Sequence, residues 1–215
     1  MTSEGANSDR EAAEAEVVEA LAGGDRRHAV TLVLRAYGPE ILRFLIALHG
    51  DRDEASEVFS LFAEAIWSAV ARFEQRSSVR TWAYAIARRT SLRHRRDRKR
   101  RAARYQPFPE DSALSALEAR VRTETLSFLR TERKSKLRAL RDALPREDQV
   151  LLMLRVDRAM SWEDLARVLR EGAGAALSDD DLKRESARLR KRFQLLKDRL
   201  RKEGERQGLL GSTRT

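Results

Sequence analysis

The chain has 215 residues, with 44 lysines and arginines against 34 acids, a net charge of +10, 36% charged residues and only 6% aromatic ones. That length suits one domain or two small ones, each with a lean core, and excludes a large single globule. The absence of cysteine excludes disulfides, thiolate zinc sites and cysteine nucleophiles, and fits a reducing cytoplasm. Three histidines (His28, His49 and His94) are too few for most metal sites, so neither a metal nor another cofactor is expected. Apolar runs such as 44–48 and 150–154 fall far short of the roughly 20 residues of a membrane span. The opening MTSEG has neither the basic nor the apolar region of a secretory signal.

Charge is arranged in blocks. Residues 1–29 carry a local balance of −4, residues 88–104 one of +9 and residues 183–206 one of +7. Two basic surfaces suggest two contacts with one polyanion. An acidic N-terminus folding onto a basic block would be self-inhibitory.

Apolar spacing of three and four, rather than two, dominates the chain and predicts an all-helical fold. After the acidic N-terminal extension 1–28, a helix is expected from Pro39, suited to a first helical turn, with Ile41, Leu42, Leu45 and Leu48 as its stripe. A second starts near Asp51 or Asp53, either of which can cap it, and turns Val58, Phe59, Phe62, Ile66 and Val70 inward. A third follows Ser77 and Ser78, places Trp82, Ile86 and Leu92 on one face, and runs into the basic block. These elements predict a first small domain over 29–101.

Pro107 and Pro109 mark a linker, 102–136, with a polar helix expected at 112–135. A second small domain is expected over 137–203. Pro145 separates two short helices there, and Ser161 to Asp164 (SWED) starts a helix over 162–169 in the manner of a capping box. Ser178 to Asp181 (SDDD) starts a longer one, on which Leu182, Ser186, Leu189, Phe193, Leu196 and Leu200 share one side. Rotation about that helix turns Arg184, Arg188, Lys191, Gln194 and Leu195 outward. The tail 204–215 is expected to be disordered.

A short helix, a connection and a basic-faced helix form a helix-turn-helix pattern, whose second helix enters the major groove. An outward Leu195 suits contact with thymine methyls. Two packed amphipathic helices with solvated charges are the plainer alternative. Residues 73–101, FEQRSSVRTWAYAIARRTSLRHRRDRKRR, combine aromatics, a polar loop and an arginine run. This would suit an unstacked base beside duplex phosphates. The alternative places Trp82 and Tyr84 in the core, and for Trp82 alone the core is the simpler reading. No catalytic constellation is expected: GAGA at 172–175 lacks the elements of a phosphate loop, and Asp179 to Asp181 suit a helix start.

RSSVRTWAYAIAR (Arg76 to Arg88), preceded by Phe73, resembles the most recognisable segment, regions 2.3 and 2.4, of the extracytoplasmic-function group of bacterial sigma-70 factors. EASEVFSLFAEAIW (Glu54 to Trp67) is similar to region 2.2. LPREDQVLLMLRV (Leu144 to Val156) and SWEDLARVL (Ser161 to Leu169) resemble the start of region 4, and RKRFQLLKDRLR (190–201) its recognition helix. The resemblance implies a non-enzymatic initiation factor that joins core RNA polymerase through the beta-prime clamp helices and beta flap. It would bind promoter DNA as duplex and as single strand, and be open to restraint by an anti-sigma factor.

Position by position, the resemblance implies core-polymerase contacts at Glu57, Ser60, Leu61 and Glu64, although Ser60 and Leu61 stand where Gln-Glu is common. It implies a flipped-base pocket at Phe73, Ile86 and Ala87, with Arg76, Ser77 and Ser78 in the adjoining loop. Arg80 and Trp82 are counted with this surface, as is Arg89, which stands where asparagine is frequent. Arg93, Arg95 and Arg96 would lie along duplex phosphate. Arg188, Arg190, Lys191, Gln194 and Leu195 would face the upstream element. The turn 170–177 is longer than usual. A helix-turn-helix regulator that works without polymerase is the alternative function.

Overall fold

The computed structural model describes residues 3–104, 139–170 and 177–208. The described residues are helical throughout their regular elements and contain no strand. In order these are α1 (Ser3–Ala22), α2 (Arg26–His49), α3 (Arg52–Ala69), a 3-10 turn Val70–Arg72, α4 (Val79–Arg104), α5 (Arg146–Leu152) continued by a π-helical turn Met153–Asp157, α6 (Trp162–Leu169) and α7 (Asp179–Arg206). The chain divides into two compact units, 1–95 with 153–189 and 96–152 with 190–215.

The first unit is built around α2. Instead of beginning at Pro39, this helix starts thirteen residues earlier and holds Pro39 inside it, while Asp25 accepts from the His28 N–H at its N-cap. The apolar face runs unbroken through Ala29, Val33, Tyr37, Ile41, Phe44 and Leu48, all buried. Burial along this face offsets the hydrogen bond lost at the proline. Gly38 is where α3 comes close, since a Cβ there would meet the Phe59 ring at 3.4 Å. The helix ends at Gly50, whose φ of 74° is the left-handed conformation glycine adopts without a Cβ penalty.

Asp51 caps α3 by accepting from the Glu54 N–H at 2.8 Å, and the helix buries Ala55, Val58, Phe62 and Ile66. Arg26 ties the start of α2 to the end of α3: its guanidinium lies 4.5 Å over the Trp67 ring and donates to the Trp67 carbonyl. Helix α4 packs Tyr84 edge-on against Phe44, with ring centroids 5.4 Å apart. His49 bridges three helices. Its ring nitrogens lie 2.9 Å from Glu54 Oε1 on α3 and 2.9 Å from Ser91 Oγ on α4.

The first turn of α4 has a complete account of its amide donors. Ser78 Oγ accepts from the Thr81 N–H at 3.1 Å and the Ser78 carbonyl from the Trp82 N–H at 3.0 Å. The Val79 and Arg80 N–H groups donate to Glu14 of α1, at 2.6 and 3.1 Å. The acidic N-terminal segment is therefore a folded helix that reaches the start of α4. Tyr37 of α2 also donates to Glu14, at 2.8 Å. Burial, and then that hydrogen bond, push the Tyr37 phenol well above its ordinary range.

The 153–170 segment belongs to the same unit and meets the same turn. Thr81 Oγ1 donates to Asp164 at 2.8 Å, Arg80 to the Arg158 carbonyl, and Arg158 to the Glu40 carbonyl. Ser161 caps α6 as the SWED spacing predicts, accepting from the Asp164 N–H. Ser178 does the same for α7 through the Asp181 N–H. In the second unit, Gln149 donates to the Asp142 and Leu144 carbonyls, and Arg192 of α7 is held by Asp148 at 2.7 Å and Glu147 at 3.2 Å. Contrary to the expected disorder from 204, α7 extends through Arg206 and buries Gly204. The linker helix expected at 112–135, the middle of the 170–177 turn and the end of the tail lie outside the described residues.

Candidate nucleic-acid interface

Phe73 follows the 3-10 turn in extended backbone, and its ring stands 5.0 Å from that of Trp82 at 47°. Two half-buried rings at that angle form an open notch rather than a closed stack, leaving aromatic face for a third planar group. The notch opens on a cleft of about 600 Å³ whose lining includes Phe73, Arg76, Ser77, Thr81, Trp82, Ala85 and Arg89, with Arg167, Val168, Arg170, Leu177 and Asp179. Gln75, two residues after Phe73 in the loop before α4, has a φ of 55°. That left-handed conformation is costly for a residue with a side chain, and such strain tends to gather at binding loops.

Four of the expected residues, Ile86, Ala87, Arg80 and Arg95, sit differently from the sequence reading. Ile86 and Ala87 are core residues at 5% and 0% exposure. With 3.6 residues per turn, the α4 side that lines the cleft is that of Trp82, Ala85 and Arg89. Arg80 is turned to Glu40, which its Nε and Nη2 reach at 2.8 and 3.2 Å. Burial, the largest single influence, would lower the Arg80 guanidinium, but the Glu40 hydrogen bond and charge, together with Tyr84 and Tyr37, outweigh it and hold the group above its ordinary value. Ser78 is exposed and used as a cap, while Arg76 is exposed and paired with Glu74 at 2.8 Å.

Beyond the cleft, the same rotation carries the stripe from Trp82, Ala85 and Arg89 to Arg93 and Arg96, the last three exposed. Arg95 lies on the opposite side and is half-buried. One helix thus joins an aromatic notch to a row of cations, the pairing of stacking surface and phosphate contact that an unpaired strand requires.

On α3 the residues expected to dock share one exposed face. Glu57, Ser60, Leu61 and Glu64 stand at spacings of three and four, opposite the buried Val58, Phe62 and Ile66. Leu61 and Trp67 leave 38% and 46% of their surface in water, and Glu57 Oε1 is 3.9 Å from His94 Nδ1. An acidic face with large apolar members suits a partner protein better than an anionic polymer.

Helix α7 buries Leu182, Ser186, Leu189, Phe193 and Leu196 of the stripe expected from its spacing, and leaves Leu200, its last member, half-buried. Arg188, Arg190, Lys191 and Gln194 are exposed, and Leu195 is 63% exposed. Sequence reasoning missed Glu14, Glu40 and His49 as organisers of α4. Glu14 did leave a signal, since it stands three residues before the buried Val17 on the apolar side of α1.

Residues 33–101 match the model of Sigma-70 region 2. The chain is 30% identical to the RNA polymerase sigma factor YlaC of Bacillus subtilis over 176 residues, covering 80% of this chain and 95% of that protein. It is 29% identical to the RNA polymerase sigma-H factor of Pseudomonas aeruginosa over 170 residues, covering 76% of this chain and 86% of that protein. With the region 2 match on the elements that carry the notch, the arginine stripe and the α3 face, the chain belongs to the sigma-70 family of RNA polymerase sigma factors, in its extracytoplasmic-function group.

Proposed function

We propose that the protein joins core RNA polymerase through the exposed face of α3, captures an unstacked base of the downstream promoter element in the cleft beside Phe73 and Trp82, and reads an upstream element with α7. The observation that carries this reading is the continuity of the α4 stripe from Trp82 to Arg96. The cleft binds only an unpaired base, so its binding energy favours the opened duplex. Arg93 and Arg96 hold the adjoining phosphates and set position rather than sequence. By this reading 29–101 and 137–203 act as the two functional domains, and the protein works in the cytoplasm as an initiation factor, without catalysis of its own. The beta-prime clamp helices are the expected partner of the α3 face, the beta flap that of the second domain, and an anti-sigma factor a candidate antagonist.

Co-elution with core polymerase tests the docking face. The wild type is expected to co-elute and Glu57→Arg to be lost from the complex, because a reversed charge at a complementary interface costs several kcal/mol. Unchanged co-elution of the variant would remove Glu57 from the docking face. Folded wild-type protein that ignored polymerase yet bound duplex would favour a regulator that works alone.

For the upstream contact, Lys191→Ala is expected to weaken duplex binding by about 1–3 kcal/mol and to change which upstream sequences are selected from a random pool. Uniform weakening with no change of preference would make Lys191 a phosphate contact.

A further inference from the structure

Helix α4 depends for its first turn on a residue 65 positions away in sequence. A helix leaves its first amide donors without intrahelical partners, and a residue just before it commonly supplies the acceptor. Ser78 does this for Thr81, but nothing local serves Val79 or Arg80. Both donate instead to the two carboxylate oxygens of Glu14. The carboxylate also meets the positive end of the α4 dipole, and Tyr37 Oη holds its Oε1 from the side of α2. This turn carries Thr81 and Trp82 into the cleft, with Trp82 set against Phe73.

We infer that Glu14 is a positioning residue for base capture: by capping α4 from α1 it holds Trp82 and Thr81 in the arrangement that receives the unstacked base. This rests on the base-capture reading above. It gives the acidic N-terminal helix a role that promotes DNA opening, the reverse of the self-inhibition its charge suggests. Without the carboxylate, two amides at the head of α4 lose their acceptor and the turn opens locally. The competent cleft is then populated for a smaller fraction of the time, and apparent affinity falls by that fraction. The hydrogen bonds of this turn reach Glu14, Glu40, Arg158 and Asp164, and none of the residues of the α3 docking face or the α7 recognition face.

The test uses full-length protein assembled with core polymerase and a labelled pool of short, random single-stranded DNA, with duplex DNA and polymerase affinity measured in parallel. Glu14→Ala is expected to lower the retained single strand about tenfold, equivalent to about 1.4 kcal/mol, while polymerase and duplex affinities stay at wild-type levels. Glu14→Gln keeps one acceptor oxygen and is expected to restore part of the loss. Tyr37→Phe leaves both backbone bonds in place and is expected to give a small loss of the same sign.

Amide exchange supplies a readout that does not depend on DNA, because Val79 and Arg80 should lose protection in Glu14→Ala while the interiors of α2 and α3 keep theirs. Single-strand binding unchanged in Glu14→Ala, or falling in step with polymerase affinity, would overturn the positioning role. A wild-type holoenzyme that selected no single strand, with those two amides still protected by Glu14, would overturn base capture itself and the inference with it.

Discussion

Trp82→Ala should lower affinity for the unpaired downstream strand by about 1–3 kcal/mol, roughly 5-fold to 150-fold, which is the range for losing one base–aromatic stack. Trp82 is half-buried and faces the cleft, whereas its neighbours Ala83 and Tyr84 are fully buried and carry the packing of α4 on α2. Truncation therefore removes the stacking surface and leaves the core in place. Polymerase affinity and the unfolding midpoint are expected to change little. The measurement is permanganate footprinting of the opened strand, set against co-elution with polymerase from the same preparation. Normal opening by the variant would transfer base capture to Phe73 alone.

Phe62→Ala should cost about 3–5 kcal/mol of stability, the range for emptying a buried phenylalanine site. Phe62 is fully buried, stands 5.6 Å from the Phe59 ring, and lies on α3 opposite the docking face. A domain of ordinary stability has only about 5–15 kcal/mol in total, so the variant should lose much of its folded population at physiological temperature. In urea the transition of the first unit should move to lower concentration with its slope kept. Polymerase binding should fall with the folded fraction rather than through any lost contact. A midpoint within experimental error of wild type would mean that the α2–α3 packing can close over the gap.

What the sequence made legible was local. Ser161 and Ser178 could be read as caps, and Asp51 as one of two candidates with Asp53, because an acceptor oxygen just before a periodic apolar run satisfies an amide three residues on; Asp51, Ser161 and Ser178 each do so. The α7 stripe was legible because its charged and apolar sides are cleanly separated. The start of α2 was not. Pro39 reads as a beginning, and only the burial of Ala29 and Val33 against neighbours shows that the helix runs through it. On α4 the period was visible but not which side lay inward, because Trp82, Ile86 and Ala87 are all plausible core residues. With Tyr84 packed against Phe44, Ala83, Tyr84, Ile86 and Ala87 are buried, which leaves Trp82 and Ala85 to the cleft. Glu14 and Glu40 act across 65 and 40 positions, a separation that no short-range pattern encodes.

Helix α4 is a single element of 26 residues, and that makes it a ruler. At about 1.5 Å per residue, Arg93 stands roughly 16 Å along the axis from Trp82, close to the length of five base pairs at about 3.4 Å each. The place where a base leaves the stack and the place where the backbone is gripped are therefore fixed relative to each other before DNA arrives. Spacing between the first unpaired base and the edge of the duplex becomes a property of the helix. Adding or removing one residue between Arg89 and Arg93 would turn the cations by about 100° away from the notch. Substitution can adjust how tightly this device holds DNA, but only a change in helix length can move the point at which it opens the strands.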